Sequence, residues 1–125
     1  MNIKPIIIVS GEPFSIFSEI FFKALKAEKI KSPIILVASK KLIYKQMKKL
    51  KYNFNIIIIN KKNYNLKDIN NEGINLIDID FEFKNIFEEI SDNSNKYIKE
   101  CFDEGLRFLK KKKCLGLING PISKK

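Results

Sequence analysis

The stretch PIIIVSGEPFSIFSEIF, Pro5 to Phe21, decides how the rest of the chain is read. Pro5 to Ser10 reads as a strand buried on both faces: short, β-branched and apolar without alternation. Gly11-Glu12-Pro13 breaks that run. From Ser15 onward the apolar period changes: Ile16, Phe17, Ile20, Phe21, Ala24 and Leu25 recur at helical spacing, with Lys23, Lys26 and Glu28 outside the stripe. Ser15 is a candidate N-cap, and the helix is expected to end near Lys29. A strand turning sharply into a helix is where open α/β sheets place ligands.

The same alternation continues. Ser32-Pro33 breaks the chain before a second buried strand, Ile34 to Ala38. Ser39 can cap a second helix, Lys40 to Leu50, with Leu42, Ile43, Met47 and Leu50 on its apolar side. Phe54 to Ile59 reads as a third apolar strand, and the Asn-rich Lys61 to Gly73 as a loop. Ile74 to Phe83 alternates strictly, the mark of a half-exposed strand at a sheet edge. A long helix follows, capped within Ser91 to Asn95 and ending near Lys112. Its expected buried stripe is Ile98, Cys101, Phe102, Gly105, Phe108 and Leu109. Lys110 to Lys113 suit the negative end of its dipole. Cys114 to Ile118 is a last buried strand, running into Asn119-Gly120-Pro121. The expected fold class is a layered α/β/α unit with a largely parallel sheet, spanning residues 1–125 as a single unit.

The totals narrow the function classes. A chain of 125 residues at 45% hydrophobic can bury a core. The net charge of +10 invites a nucleic-acid reading. Against it, Arg107 is the one arginine among 24 basic residues, and the lysines are spread along the whole chain. The abundance of Ile, Lys and Asn resembles a coding bias towards A and T. A solvated, Lys-rich surface is the expected reading, and nucleic acid is not the expected partner. No apolar run approaches the ~20 residues that span a membrane. With two cysteines and no secretory signal pattern, the expected compartment is the cytoplasm.

Candidate chemistry is sparse. The chain has no histidine, which removes the commonest general base and metal ligand. The Gly11 turn matches neither GxGxxG nor GxxxxGK[ST]. Glu12 and the backbone N–H groups around it would sit at the carboxyl end of a strand. Asp78, Asp80 and Glu82 would align on one strand face, as a wet surface or as a row able to hold a hard cation. Cys101 and Cys114 lack a partner that would make a thiolate, so core packing is expected of both. At the far end, LINGPISKK places Gly120 and Pro121 after a strand, with Lys124 able to meet a phosphate as a point charge.

The two end motifs together carry a resemblance. IIIVSGEPFSIFSEI resembles the opening of 4-hydroxythreonine-4-phosphate dehydrogenases, with a pattern like T-x-G-D-P-A-G-I-G-P-E-I. GLINGPISK resembles that family's later L-V-T-G-P-I-x-K. Both occur in the family's order, the second after a long helix. The matching positions are Gly11, Glu12 and Pro13, then Gly120, Pro121 and Lys124, and they build cleft-side loops. No catalytic residue is carried over, and the cofactor-binding residues are not assigned. Glu12 stands for the usual Asp, and Asn119 for the usual Thr. Phe14, Ser15, Phe17 and Ser18 make the first loop bulkier than the family's.

The resemblance implies the amino-terminal portion of a longer, two-domain enzyme with the isocitrate/isopropylmalate dehydrogenase-like fold. It implies a homodimer that oxidises a phosphorylated hydroxy-amino acid with NAD(P) in pyridoxal phosphate synthesis. It implies a divalent metal held by histidines, which lie beyond position 125 in the family. The expectation for this chain alone is inactivity, with sheet edges and apolar helix faces left open. Two other classes fit the composition: a basic α/β module binding RNA or another polyanion, and an unrelated doubly wound domain with a nucleotide at the Gly11 turn.

Overall fold

A helix between two strands carries the chain back to the end where it began, so the strands pair in parallel. The computed structural model describes residues 4–11, 13, 17–27, 32–59, 69, 72–82, 93–111, 114 and 116–120. The elements in chain order are β1 (Ile6–Val9), α1 (Phe17–Ala27), β2 (Ile34–Ala38), α2 (Lys40–Lys49), β3 (Ile56–Ile58), β4 (Ile74–Asp78), α3 (Asn93–Lys111) and β5 (Gly116–Asn119). The strands form a five-stranded sheet in the order β3-β4-β2-β1-β5, and every pairing is parallel.

Two cores sandwich this sheet, because alternate strand residues point to opposite faces. On one face Ile34, Leu36 and Ala38 of β2 and Ile74 and Leu76 of β4 meet Phe21 and Phe22 of α1 and Ile43 and Met47 of α2. On the other, Ile7, Val9, Ile35, Val37 and Ile77 meet Tyr97, Cys101 and Phe108 of α3. The architecture is α/β/α as expected, with α1 and α2 on one face and α3 on the other. Among the described residues, no helix is long and apolar enough to cross a membrane.

Three expectations fail for identifiable reasons. The expected half-exposed edge strand, Ile74 to Phe83, is instead a short interior strand: β4 ends at Asp78, lies between β3 and β2, and is buried from Ile74 to Ile77. Within it Asn75 is buried and donates its side-chain amide to Ile34 O at 2.9 Å. The alternating carboxylates therefore begin where the strand stops.

Cys114 to Ile118 was expected as a buried strand, but β5 is a sheet edge, with Ile118 54% exposed. The other edge, β3, leaves Ile58 47% exposed. Finally, α1 is rotated by about one residue from its expected face. Ser18, Phe21 and Phe22 are buried, Leu25 packs against the same core, and Ile20 is 54% exposed. Positions 18, 21, 22 and 25 make the i, i+3, i+4, i+7 stripe. The pull is an aromatic cluster: Phe22 lies 5.6 Å from Tyr52 and 5.9 Å from Phe54, ring centre to ring centre.

Candidate functional site

All strands being parallel, their carboxyl ends share one edge of the sheet, and both end motifs of the sequence arrive there. β1 gives way to Ser10 and Gly11, both buried. Gly11 takes φ 71°, a left-handed conformation that glycine adopts without a Cβ penalty. Pro13 is buried too, and its carbonyl accepts a hydrogen bond from Gln46 Nε2 of α2 at 3.0 Å. The turn is thus held from the helix behind it. Gln46 is 1% exposed and was not foreseen as an inward residue of α2.

β5 runs beside β1 with Asn119 opposite Val9. Gly120 N–H then donates to Val9 O at 2.7 Å. A Cβ on Gly120 would lie 2.1 Å from the Ser10 carbonyl oxygen and 2.9 Å from a ring carbon of Phe17. Gly120 is therefore a place where one backbone closes on another. The structure brings Gly11, Pro13 and Gly120 to neighbouring strand ends. Glu12, Pro121 and Lys124, the other motif positions, lie outside the described residues.

The hub of this edge is Tyr97. Its hydroxyl accepts Ser39 N–H at 2.7 Å and lies 3.3 Å from Ser10 Oγ. One phenol from α3 thereby joins the ends of β1 and β2. Burial pushes its pKa well above the usual tyrosine value, with a smaller push from Cys101, so it stays a neutral hydrogen-bonding group. A signal existed in the sequence: Tyr97 precedes Cys101 by four residues and so shares its inward stripe.

Asp78, Asp80 and Glu82 all line the same cleft at this edge. Asp78 Oδ1 accepts Lys40 N–H at 2.9 Å, while Ser39 Oγ accepts Leu42 N–H at 3.3 Å. The carboxylate and the serine together cap α2, as the sequence indicated for Ser39. Asp80 and Glu82 follow, exposed. Among the described residues, no group of three His, Cys, Asp or Glu side chains is placed to hold a metal ion. Cys101 is fully buried in the α3-side core, and Cys114 packs against it. Burial raises the Cys114 thiol pKa, the opposite of an activated nucleophile.

Beside Tyr97 the edge opens into a cleft of about 660 Å³ between α2 and residues 78–82. Lys41, Tyr44 and Lys45 line one wall, and Asp80, Phe81 and Glu82 the other. Phe81 stacks on Tyr97 with ring centres 4.5 Å apart.

No protein-family model matches the sequence, and no curated protein matches it significantly. The fold, however, is similar to a crystal structure of a 4-hydroxythreonine-4-phosphate dehydrogenase from Burkholderia phymatum. The TM-score is 0.83 at 14% identity, covering 99% of this chain and 38% of that one. The chain therefore spans well under half the length of that dehydrogenase, and at this identity the likeness is one of fold.

Proposed function

We propose that the chain forms the amino-terminal part of a dehydrogenase of the 4-hydroxythreonine-4-phosphate type. The complete enzyme would oxidise 4-phosphooxy-threonine with NAD(P) in pyridoxal phosphate biosynthesis, as a metal-assisted cytoplasmic homodimer. The observation carrying this reading is the fold likeness to such a dehydrogenase over 99% of the chain. It coincides with two end motifs that resemble that family on residues alone.

The role of these 125 residues is then to shape one wall of the cleft. Gly11, Pro13 and Gly120 set the backbone of that wall, Gln46 fixes the turn, and Tyr97 joins the strand ends. The metal of the resemblance does not fit this chain's own groups. It has no histidine, and its described carboxylates and thiols do not converge. Hydride transfer and metal binding belong to groups outside this sequence, so the chain alone is inactive. The test is formation of NAD(P)H from 4-hydroxythreonine 4-phosphate, NAD(P) and a divalent cation. The 125-residue chain should give none; turnover by the chain alone overturns the expectation of inactivity.

A further inference from the structure

We propose that the amino edge of the sheet, at the opposite end from the cleft, binds double-helical nucleic acid through its phosphate backbone, without reading sequence. Lys4, Lys48, Lys49, Lys51 and Lys110 make the contact. The surface is independent of the dehydrogenase reading and of the motifs at the two ends of the chain.

Topology builds this surface. The lysines are spread along the sequence, but the strands are parallel and each helix runs back against them, so all three helices end at the amino edge. Lys26 lies in the last turn of α1, Lys48 and Lys49 in that of α2, and Lys110 in that of α3. Lys51 follows α2 closely, and Lys4 precedes β1. All six are exposed. Among the described residues Glu72 is the one acid at this edge, and it already holds an interaction. Six lysines less one glutamate leave a net charge of +5 here, against +10 for the whole chain. At the carboxyl edge, by contrast, Asp78, Asp80 and Glu82 offset Lys40, Lys41 and Lys96.

Neither helix dipoles nor ion pairing neutralises this charge. A helix C-terminus carries only about half a negative charge, so three of them offset about 1.5 of the five. Lys23, Lys96, Lys99 and Arg107 pair with acids of their own helices, and among the described residues no ion pair takes up any of the six. Lys26 rests its ammonium over the Tyr52 ring, 5.7 Å from the centre, so it adds to the field rather than to the contact.

The surroundings select the partner. Lysines are point charges that suit phosphates, and Arg107, whose fork could read a base edge, is held by Glu104. Adhesion to a bilayer needs an apolar insertion beside the charge, and the large exposed hydrophobic side chains, Ile20, Tyr44, Ile58 and Ile118, lie elsewhere. A single strand needs open rings on which bases stack. Tyr52 and Phe54 instead pack on Phe22 and on each other. A duplex, whose bases are already stacked and whose phosphates face outward, asks only for the cations.

The experiment titrates the 125-residue protein into labelled duplex DNA, duplex RNA and a single-stranded oligonucleotide, all of mixed sequence, and into vesicles of anionic phospholipid. Fluorescence anisotropy and vesicle sedimentation read the binding. Duplex should bind most tightly, and the tighter of DNA and RNA names its source. Log K for duplex DNA against log salt should have a slope of about −4.5, from five contacts at about 0.9 each. Lys51 takes φ 64°, which Asn tolerates, so one variant combines Lys48→Gln, Lys49→Gln and Lys51→Asn. It should bind at least about tenfold more weakly, with a slope of about −2. A second variant, Lys40→Gln with Lys41→Gln and Lys96→Gln, removes the same charge from the carboxyl edge. It should keep the parent slope and an affinity within about threefold. All these side chains are exposed, so circular dichroism should show both variants folded. The proposal is overturned if folded protein binds no duplex, if the second variant loses as much as the first, or if the single strand or the vesicles bind more tightly than duplex.

Discussion

Tyr97 Oη accepts the backbone N–H of Ser39 at 2.7 Å, across 58 residues of sequence. That bond, with Ser10 Oγ on its other side, ties the helix of one face to the strand ends that lead to the other. Tyr97→Phe keeps the ring stacked on Phe81 and leaves a buried N–H without its acceptor. The expected loss is about 1–3 kcal/mol in denaturant unfolding. A variant as stable as the parent would show that the hydroxyl is not a tie.

The same residue sets a pH dependence. Burial raises the pKa of Tyr97 in the folded state, while an unfolded tyrosine ionises near about 10. Below that pH both states hold the proton, and the contribution is fully present. Above it the unfolded state releases the proton and the folded state keeps it, so stability falls as pH rises. Tyr97→Phe removes this group, and its stability should fall less steeply above about pH 10 than the parent's. Cys114, raised by burial as well, adds a slope of the same sign in both proteins.

Gly120 and Gly116 make a matched pair. A Cβ at Gly120 meets Ser10 O at 2.1 Å, and one at Gly116 meets nothing within 4 Å. Gly120→Ala should destabilise by about 3 kcal/mol or more, since backbone rather than a flexible side chain must move. Gly116→Ala should be neutral or stabilise by up to about 1 kcal/mol, through the unfolded chain. Thermal melts of the two variants read this difference directly.

Gln46 gives a third test. Its side chain is buried and donates to Pro13 O, so Gln46→Leu preserves volume and strips the carbonyl of that donor. A loss of about 1–3 kcal/mol is expected, with faster amide exchange at Gly11 than in the body of β2. Uniform acceleration across the sheet would assign Gln46 to general packing instead.

Local chemistry made much of this fold legible. Ile34 to Ala38 and the Ser39 cap were readable because β-branched runs and an N-cap serine are properties of short windows. Strand order is not such a property. The alternation of residues 74–83 suggested one wet face, but both faces of β4 are buried, Ile74 and Leu76 in one core and Ile77 in the other. β4 is internal because β3 and β2 pair on either side of it, and Ile118 is exposed because its strand is an edge. The α1 face was misjudged because small Ser18 fits inward while Ile20 does not. At the site, the motifs led to Gly11 and Gly120; helical spacing could place Tyr97 inward, but its bond to Ser39 and the bond of Gln46 to Pro13 are long-range and no local pattern announces them.

The most direct measurement of the central claim is the sequence of the genomic DNA following the codon for Lys125, read in all frames. If the chain is the amino-terminal part of a 4-hydroxythreonine-4-phosphate dehydrogenase, that DNA encodes a G-H-T-E-like motif and spaced histidines able to hold a metal. Downstream coding sequence lacking both would contradict the claim and leave an α/β unit that shares only the dehydrogenase's fold.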